Sequence, residues 1–219
     1  MKSIIVANWK MNPATLNEAR RIFNFVKKGI RNIKSTPVII CPPFVYLPLF
    51  TNLGMQIGAQ DAFFKDEGAY TGEVSPSMLK SLGVSYVILG HSERRQYFKE
   101  SNEMVKDKIK AVQQSGLTPI LCIDKLSQIP QSTKGLIIAY EPLFAIGTGQ
   151  ACSLDRAKKM RLAIKKKAGE RVPVLYGGSV NSENARSYIK EAGFQGLLVG
   201  GASLKPKEFI DIIKNVCYR

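Results

Sequence analysis

The stretch Gly-Leu-Ile-Ile-Ala-Tyr-Glu-Pro-Leu-Phe-Ala-Ile-Gly-Thr-Gly, residues 135–149, decides the fold. It begins with an unbroken apolar run, the pattern of a parallel strand covered on both faces. The strand delivers one carboxylate, Glu141, at its end. A loop then starts at Pro142 and closes with Gly-Thr-Gly. A carboxylate held between a rigid strand and a loop able to act as a lid suits proton abstraction away from water.

The same pattern recurs along the chain. Short apolar runs predict strands at Ser3–Asn8, Pro37–Cys41, Met55–Ala59, Val84–Gly90, Leu117–Ile123, Leu136–Glu141, Val172–Tyr176 and Gly196–Gly200. Helical spacing fills most gaps. Leu16, Ala19, Ile22, Phe23, Val26 and Ile30 form one stripe; Ala157, Met160, Ile164 and Ala168 another; Phe209, Ile212, Ile213 and Val216 the last. Phe23 and Phe25 are expected in the core. Ser153 and Asn181 read as N-caps. Strand and helix alternating eight times give a closed barrel or a doubly wound sheet, and eight favours a single (β/α)8 barrel over residues 1–219. One unit is irregular. Asp124–Lys134, with Pro130 inside, is too short for a covering helix, so the fifth helix is expected to be shortened or absent.

The chain has 219 residues, 45% of them hydrophobic, enough for one large core. No run of 18 apolar residues predicts a membrane span, and Met1–Val6 leads into a strand rather than a signal peptide. Cys41, Cys122, Cys152 and Cys217 are scattered, with no C-x-x-C pair, which suits reduced thiols in the cytoplasm. The net charge of +15 admits nucleic acid, an anionic membrane or an anionic substrate as partner. Yet the basic residues lie along amphipathic helices, with no basic tail and no aromatic-basic motif, so neither nucleic acid nor membrane is expected. Lys165-Lys166-Lys167 reads as a solvated helix end.

In such a barrel, chemistry sits where strands end. The first strand presents Asn8 and Lys10, two apart and able to share a face. The fourth presents His91, Ser92 and Glu93; the sixth, Glu141; the seventh, Gly177-Gly178-Ser179; the eighth, Gly200-Gly201. Alone, each has a plain reading: a solvated carboxylate, a structural histidine, a surface lysine, tight turns. Together, Glu141, His91 and Lys10 make a base, a proton donor and a fixed positive charge. The glycine pairs and Ser179 offer N–H groups to a phosphate. The set points to a small phosphorylated substrate deprotonated at carbon.

Six ordered motifs spanning nearly the whole chain resemble the triosephosphate isomerase family. They are Asn8–Asn12, Gly68–Glu73, Ile88–Arg95, Ala139–Gly149, Tyr176–Val180 and Leu198–Leu204. The resemblance implies a TIM barrel that interconverts dihydroxyacetone phosphate and glyceraldehyde 3-phosphate, without cofactor or metal. This reaction serves glycolysis and gluconeogenesis. It implies Glu141 as the base moving a proton between two carbons, and His91 as hydrogen-bond donor to the enediolate oxygen. Lys10 stabilises the growing charge and Asn8 positions the substrate. Gly147, Ser179, Gly200 and Gly201 hold the phosphate, and Ser92 and Glu93 support the site. A neutral His91 at the start of a short helix is implied too, an arrangement for which this family is itself the standard example.

The Asp61–Val74 loop carries Phe63, Phe64 and Tyr70 with little to bury them locally, and such loops dock on partners. The resemblance implies a homodimer through this loop, with Thr71 reaching the second copy's site near its Asn8 and Lys10, and a tetramer as the alternative. Three departures stand out. Asp61 replaces the family's asparagine before the docking loop. Phe144 replaces the lid tryptophan. Cys122-Ile123-Asp124-Lys125 replaces Cys-Ile-Gly-Glu, ahead of the shortened fifth unit, whose loss could expose the barrel wall. Two rival readings remain. One is a barrel enzyme acting on another phosphorylated sugar or an indole precursor. The other is a non-catalytic barrel that binds phosphate or polyanions.

Overall fold

A computed structural model describes residues 3–33, 36–145 and 150–217. Eight parallel strands close into a barrel in chain order. They are β1 (Ile4–Asn8), β2 (Val38–Cys41), β3 (Gln56–Ala59), β4 (Tyr86–Leu89), β5 (Thr118–Ile123), β6 (Ile137–Tyr140), β7 (Val174–Tyr176) and β8 (Gly196–Val199). The closing pair sets Ile4 beside Gly196 and Ala7 beside Val199. All eight expected strands are present, trimmed by a residue or two at their ends.

Successive side chains of a strand point to opposite faces, which sorts the core into two layers. Val6, Ile39, Ile88, Ile120, Cys122, Ile137, Ala139, Leu175 and Leu198 fill the barrel's interior. Ile5, Ala7, Ile138 and Tyr140 face outward into the larger core beneath the helices. The alternation places the site. Ile137 and Ala139 point inward, so Glu141 does too, and Val6 carries Asn8 to the same lumen.

The helices are α1 (Leu16–Gly29), α2 (Leu47–Phe50), α3 (Pro76–Ser81), α4 (Ser92–Tyr97), α5 (Asn102–Gln114), α6 (Leu154–Ala168), α7 (Ala185–Lys190) and α8 (Pro206–Cys217). In α1, Thr15 caps the N-terminus by accepting from Glu18 N–H. Ala19, Ile22, Phe23 and Val26 are buried. Phe23 stacks on Phe50 at 4.4 Å, and Phe50 meets the fully buried Trp9 edge-on at 5.8 Å. Phe25, however, is 47% exposed. Two residues past Phe23 it lies about 200° round the helix, on the solvent side.

Two more expectations need correcting. Lys165 is buried, not solvated, and its ammonium donates to the carbonyls of Glu170 and Val172, both at 2.7 Å. The chain folds back after α6 and presents those oxygens to it. Asn181 is not the residue that opens α7; Asn184 is. The two asparagines instead bond each other's backbone N–H reciprocally, at 3.0 and 2.9 Å, forming a turn ahead of the helix. Ser153 does stand at the N-cap of α6, though its side chain makes no capping bond.

The fifth unit has no α-helix, only a single 3-10 turn at Leu126–Gln128. The barrel wall behind it is nonetheless covered, because Ile109 and Ile129 are both buried. Gln128 Oε1 accepts from Asp124 N–H at 2.8 Å and closes the turn. Three bonds staple the segment to its neighbours: Lys167 Nζ to Leu126 O, Gln113 Nε2 to Lys134 O and Thr133 Oγ1 to Ala168 O. No helix among the described residues is long and apolar enough to cross a membrane.

Candidate active site

The C-terminal ends of the strands surround a cavity of about 440 Å³ lined by Asn8, Lys10, His91, Glu141, Gly177, Gly178, Ser179, Gly200 and Gly201, among others. Of the site residues singled out in the sequence, these nine line the cavity, Ser92 and Glu93 stand beside it, and Gly147 falls outside the described residues. The Ala139–Gly149 motif is described only through Ala145.

On β1, Asn8 is 5% exposed. Its side-chain oxygen accepts from the Lys10 N–H at 3.0 Å. That bond holds Lys10 at φ 53°, a left-handed conformation that L-residues seldom adopt. The turn brings the ammonium against Glu93, with which it forms an ion pair. The same ammonium lies beside Gly200, where an added Cβ would come 3.9 Å from Nζ. Glu93 is partly exposed rather than buried.

His91 is the N-cap residue of α4 and is 6% exposed. Its Nδ1 accepts from Glu93 N–H at 3.3 Å. An accepting Nδ1 carries no proton, so the ring is the neutral tautomer with hydrogen on Nε2. Nε2 lies 3.2 Å from Glu141 Oε1. Glu141 is 2% exposed, and its Oε2 accepts from Ser92 N–H at 3.2 Å. Cys122 lies beneath it. Burial, then the adjacent Glu141 carboxylate and the hydrogen bond to it, raise the Cys122 thiol well above its usual range, so it stays protonated and donates. Gly177 leaves room for this carboxylate, since a Cβ there would stand 3.0 Å from Glu141 Cγ.

Across the cavity, Ser179 Oγ donates to Ala145 O at 2.6 Å, tying the seventh strand's loop to the segment that follows β6. A 3-10 turn, Gly201–Leu204, follows Gly200 directly. Phe144 is 43% exposed, with the Arg156 guanidinium 4.3 Å over its ring.

Several supporting residues escape a sequence reading. Gln60 Nε2 donates to Lys10 O at 2.8 Å and to Cys41 O at 2.9 Å, bracing the Lys10 turn. Beside α4 lies a buried ionic network. Lys108 Nζ contacts both Asp61 oxygens at 2.9 and 2.8 Å, and Glu100 at 2.5 Å. Arg94 reaches Asp61 at 2.9 Å and Glu100 at 2.7 Å. Burial pushes the Asp61 carboxyl up to about 6 against the pull of Lys108, with Glu100 adding to the rise and Arg94 opposing it. The network joins the root of the Asp61–Val74 loop to the helix that follows His91. The only sequence signal was Asp61 itself, where the family pattern has an asparagine.

Known proteins share this fold and much of this sequence. The family model for triosephosphate isomerase matches residues 3–216. A triosephosphate isomerase from Dehalococcoides mccartyi is 42% identical, over 98% of this chain and 96% of its own. One from Dictyoglomus turgidum is 37% identical, over 98% and 99%. The crystal structure of triosephosphate isomerase from Bartonella henselae superposes with a TM-score of 0.87 at 30% identity, covering 98% of this chain and 99% of that one. The chain belongs to the triosephosphate isomerase family, and its activity is that of an isomerase.

Proposed function

We propose that Glu141, His91, Lys10 and Asn8 carry the interconversion of dihydroxyacetone phosphate and D-glyceraldehyde 3-phosphate in this chain. The observation behind this reading is their convergence, from three separate strands, on one cavity whose other wall is glycine-rich backbone. Glu141 takes a proton from the carbon beside the substrate carbonyl and returns it to the neighbouring carbon. To do so it gives up the Ser92 N–H. The His91 Nε2–H now directed at Glu141 is the donor a substrate oxygen would take over; it stabilises the enediolate, and through this ring nitrogen the hydroxyl proton passes from one substrate oxygen to the other, as the shift of the carbonyl requires. Lys10 supplies positive charge between that oxygen and the phosphate, with Asn8 and Glu93 fixing its position. Ser179, Gly200, Gly201 and Gly147 receive the phosphate through backbone N–H groups. The loop from Pro142 to Gly149 would shield the intermediate from water, which otherwise favours loss of phosphate.

A second copy of the chain is the proposed partner. Phe63 packs on Phe64 at 4.3 Å and on Tyr70 at 4.7 Å, so the docking loop carries its own aromatic cluster. Tyr70 remains 43% exposed. Met11, Val45, Tyr97 and Phe98 are also exposed, on segments following β1, β2 and β4. Burying such apolar surface between two copies stabilises a dimer. All four cysteines are free, which suits the reducing cytoplasm.

The non-catalytic barrel is favoured by no observation. A coupled assay of glyceraldehyde 3-phosphate isomerisation on the purified chain separates the readings. Turnover is expected; a folded protein that binds phosphate without turnover would leave only the binding role.

A further inference from the structure

Tyr188, on α7, belongs to none of the motifs that carry the family resemblance and does not line the cavity. It is nevertheless 1% exposed and elaborately held. Its ring stacks on Tyr176 at 3.7 Å with planes 14° apart, and Phe194 closes the cluster 5.5 Å from Tyr176. Its hydroxyl donates to the Cys152 carbonyl at 2.5 Å. The Cys152 N–H donates in turn to the Tyr176 hydroxyl at 3.1 Å. Two stacked tyrosines thus take both backbone polar groups of one buried residue. Burial raises both phenols above their usual value, so both remain protonated at neutral pH.

The Tyr176 hydroxyl also abuts the phosphate side of the cavity. A Cβ built on Gly178 would lie 2.2 Å from it. Gly178 precedes Ser179, and both line the cavity. The backbone there rests directly on that oxygen, so its position follows the oxygen's. Through Cys152, whose carbonyl takes the Tyr188 hydroxyl while its N–H takes the Tyr176 oxygen, Tyr188 is tied to that oxygen.

We propose that Tyr188 is a positioning residue for phosphate recognition: by locking the Cys152–Tyr176 hydrogen bond it holds Gly178 and Ser179 where they receive the substrate's phosphate group. Tyr188 touches no reacting atom. The inference rests on reading the glycine loops as the phosphate cradle.

Tyr188→Phe keeps the stacked ring and removes only the hydroxyl. Steady-state kinetics of the purified full-length variant, with inorganic phosphate as competitive inhibitor, test the idea. KM and the phosphate inhibition constant are expected to rise together by about three- to tenfold, the range for one lost hydrogen bond, with kcat changed less than twofold. Tyr188→Leu, which also loses the stacking, should match those two constants while melting at a lower temperature. Unchanged KM and phosphate inhibition in Tyr188→Phe, whatever its melting temperature, would overturn the proposal, as would a fall in kcat alone. If phosphate does not inhibit the unsubstituted chain at all, the cradle reading fails first and the inference with it.

Discussion

Glu141 and Asp61 are both buried carboxylates, both bonded to α4, and held in opposite ways. Glu141 is gripped by neutral donors alone: Ser92 N–H, His91 Nε2–H and the Cys122 thiol. Asp61 is clamped by two cations, Lys108 and Arg94, which also hold Glu100. A hydrogen bond from a neutral donor to a charged group is worth about 1.5–3 kcal/mol net, which a substrate's own polar groups can replace. Breaking a buried ion pair costs about 3–5 kcal/mol. A carboxylate that must let go is therefore held by dipoles, and one that must stay is held by charges. On the proposed reading, the His91 end of α4 is suited to release its partner, and the Arg94 side to anchor the loop that begins at Asp61.

The contrast can be broken at either end. Glu141→Gln keeps the shape and removes the base, so kcat should fall by about 10²–10⁴-fold, the usual share of a general base, with little change in stability. Near-normal turnover would remove Glu141 from that role. Lys108→Met should do the reverse. It leaves Asp61 and Glu100 facing each other with only Arg94, and denaturant unfolding at fixed protein concentration should show a loss of about 3–5 kcal/mol. A variant as stable as the parent would mean the network anchors nothing.

A smaller effect sharpens the account of Asp61. Its folded value is raised from the ordinary 3.8 to about 6. As pH falls through that window, the folded chain binds a proton that the unfolded chain does not. This group's contribution to stability therefore grows on acidification, and the ionised form is the costly one at neutral pH. Asp61→Asn removes the titration. Between pH 7 and pH 4 the unsubstituted chain should gain stability relative to the variant, and a flat difference would count against the raised value. The smallest expected effect concerns the net charge of +15. If the positive field steers a dianionic substrate, kcat/KM should fall modestly from low to moderate salt, after correction for anion inhibition. No change would rule steering out.

The sequence revealed the frame well because parallel strands covered on both faces must be apolar throughout. Ile137 to Tyr140 needed no context to be read as β6. Glu141, His91 and Lys10 were legible because each ends or follows such a strand. Charged residues inside the helical layer were not. Lys108 and Lys165 look like any solvated lysine, and their burial depends on oxygens brought in from distant segments: Asp61, 47 positions away, for the first, and the returning loop for the second. Phe25 failed the other way, an aromatic that a helix turns to solvent. Gln60 and Tyr188 act through backbone groups, which leave no mark in a pattern of side chains.

The most direct test of the central claim follows hydrogen at carbon. The isomerisation would be run in deuterium oxide with the unsubstituted chain and Glu141→Gln, and the product examined by NMR. If a carboxylate removes and returns the proton, part of the product should carry solvent deuterium at the newly protonated carbon, and product should nearly cease to form in the variant. Undiminished turnover in Glu141→Gln, with solvent deuterium still entering that carbon, would contradict the account.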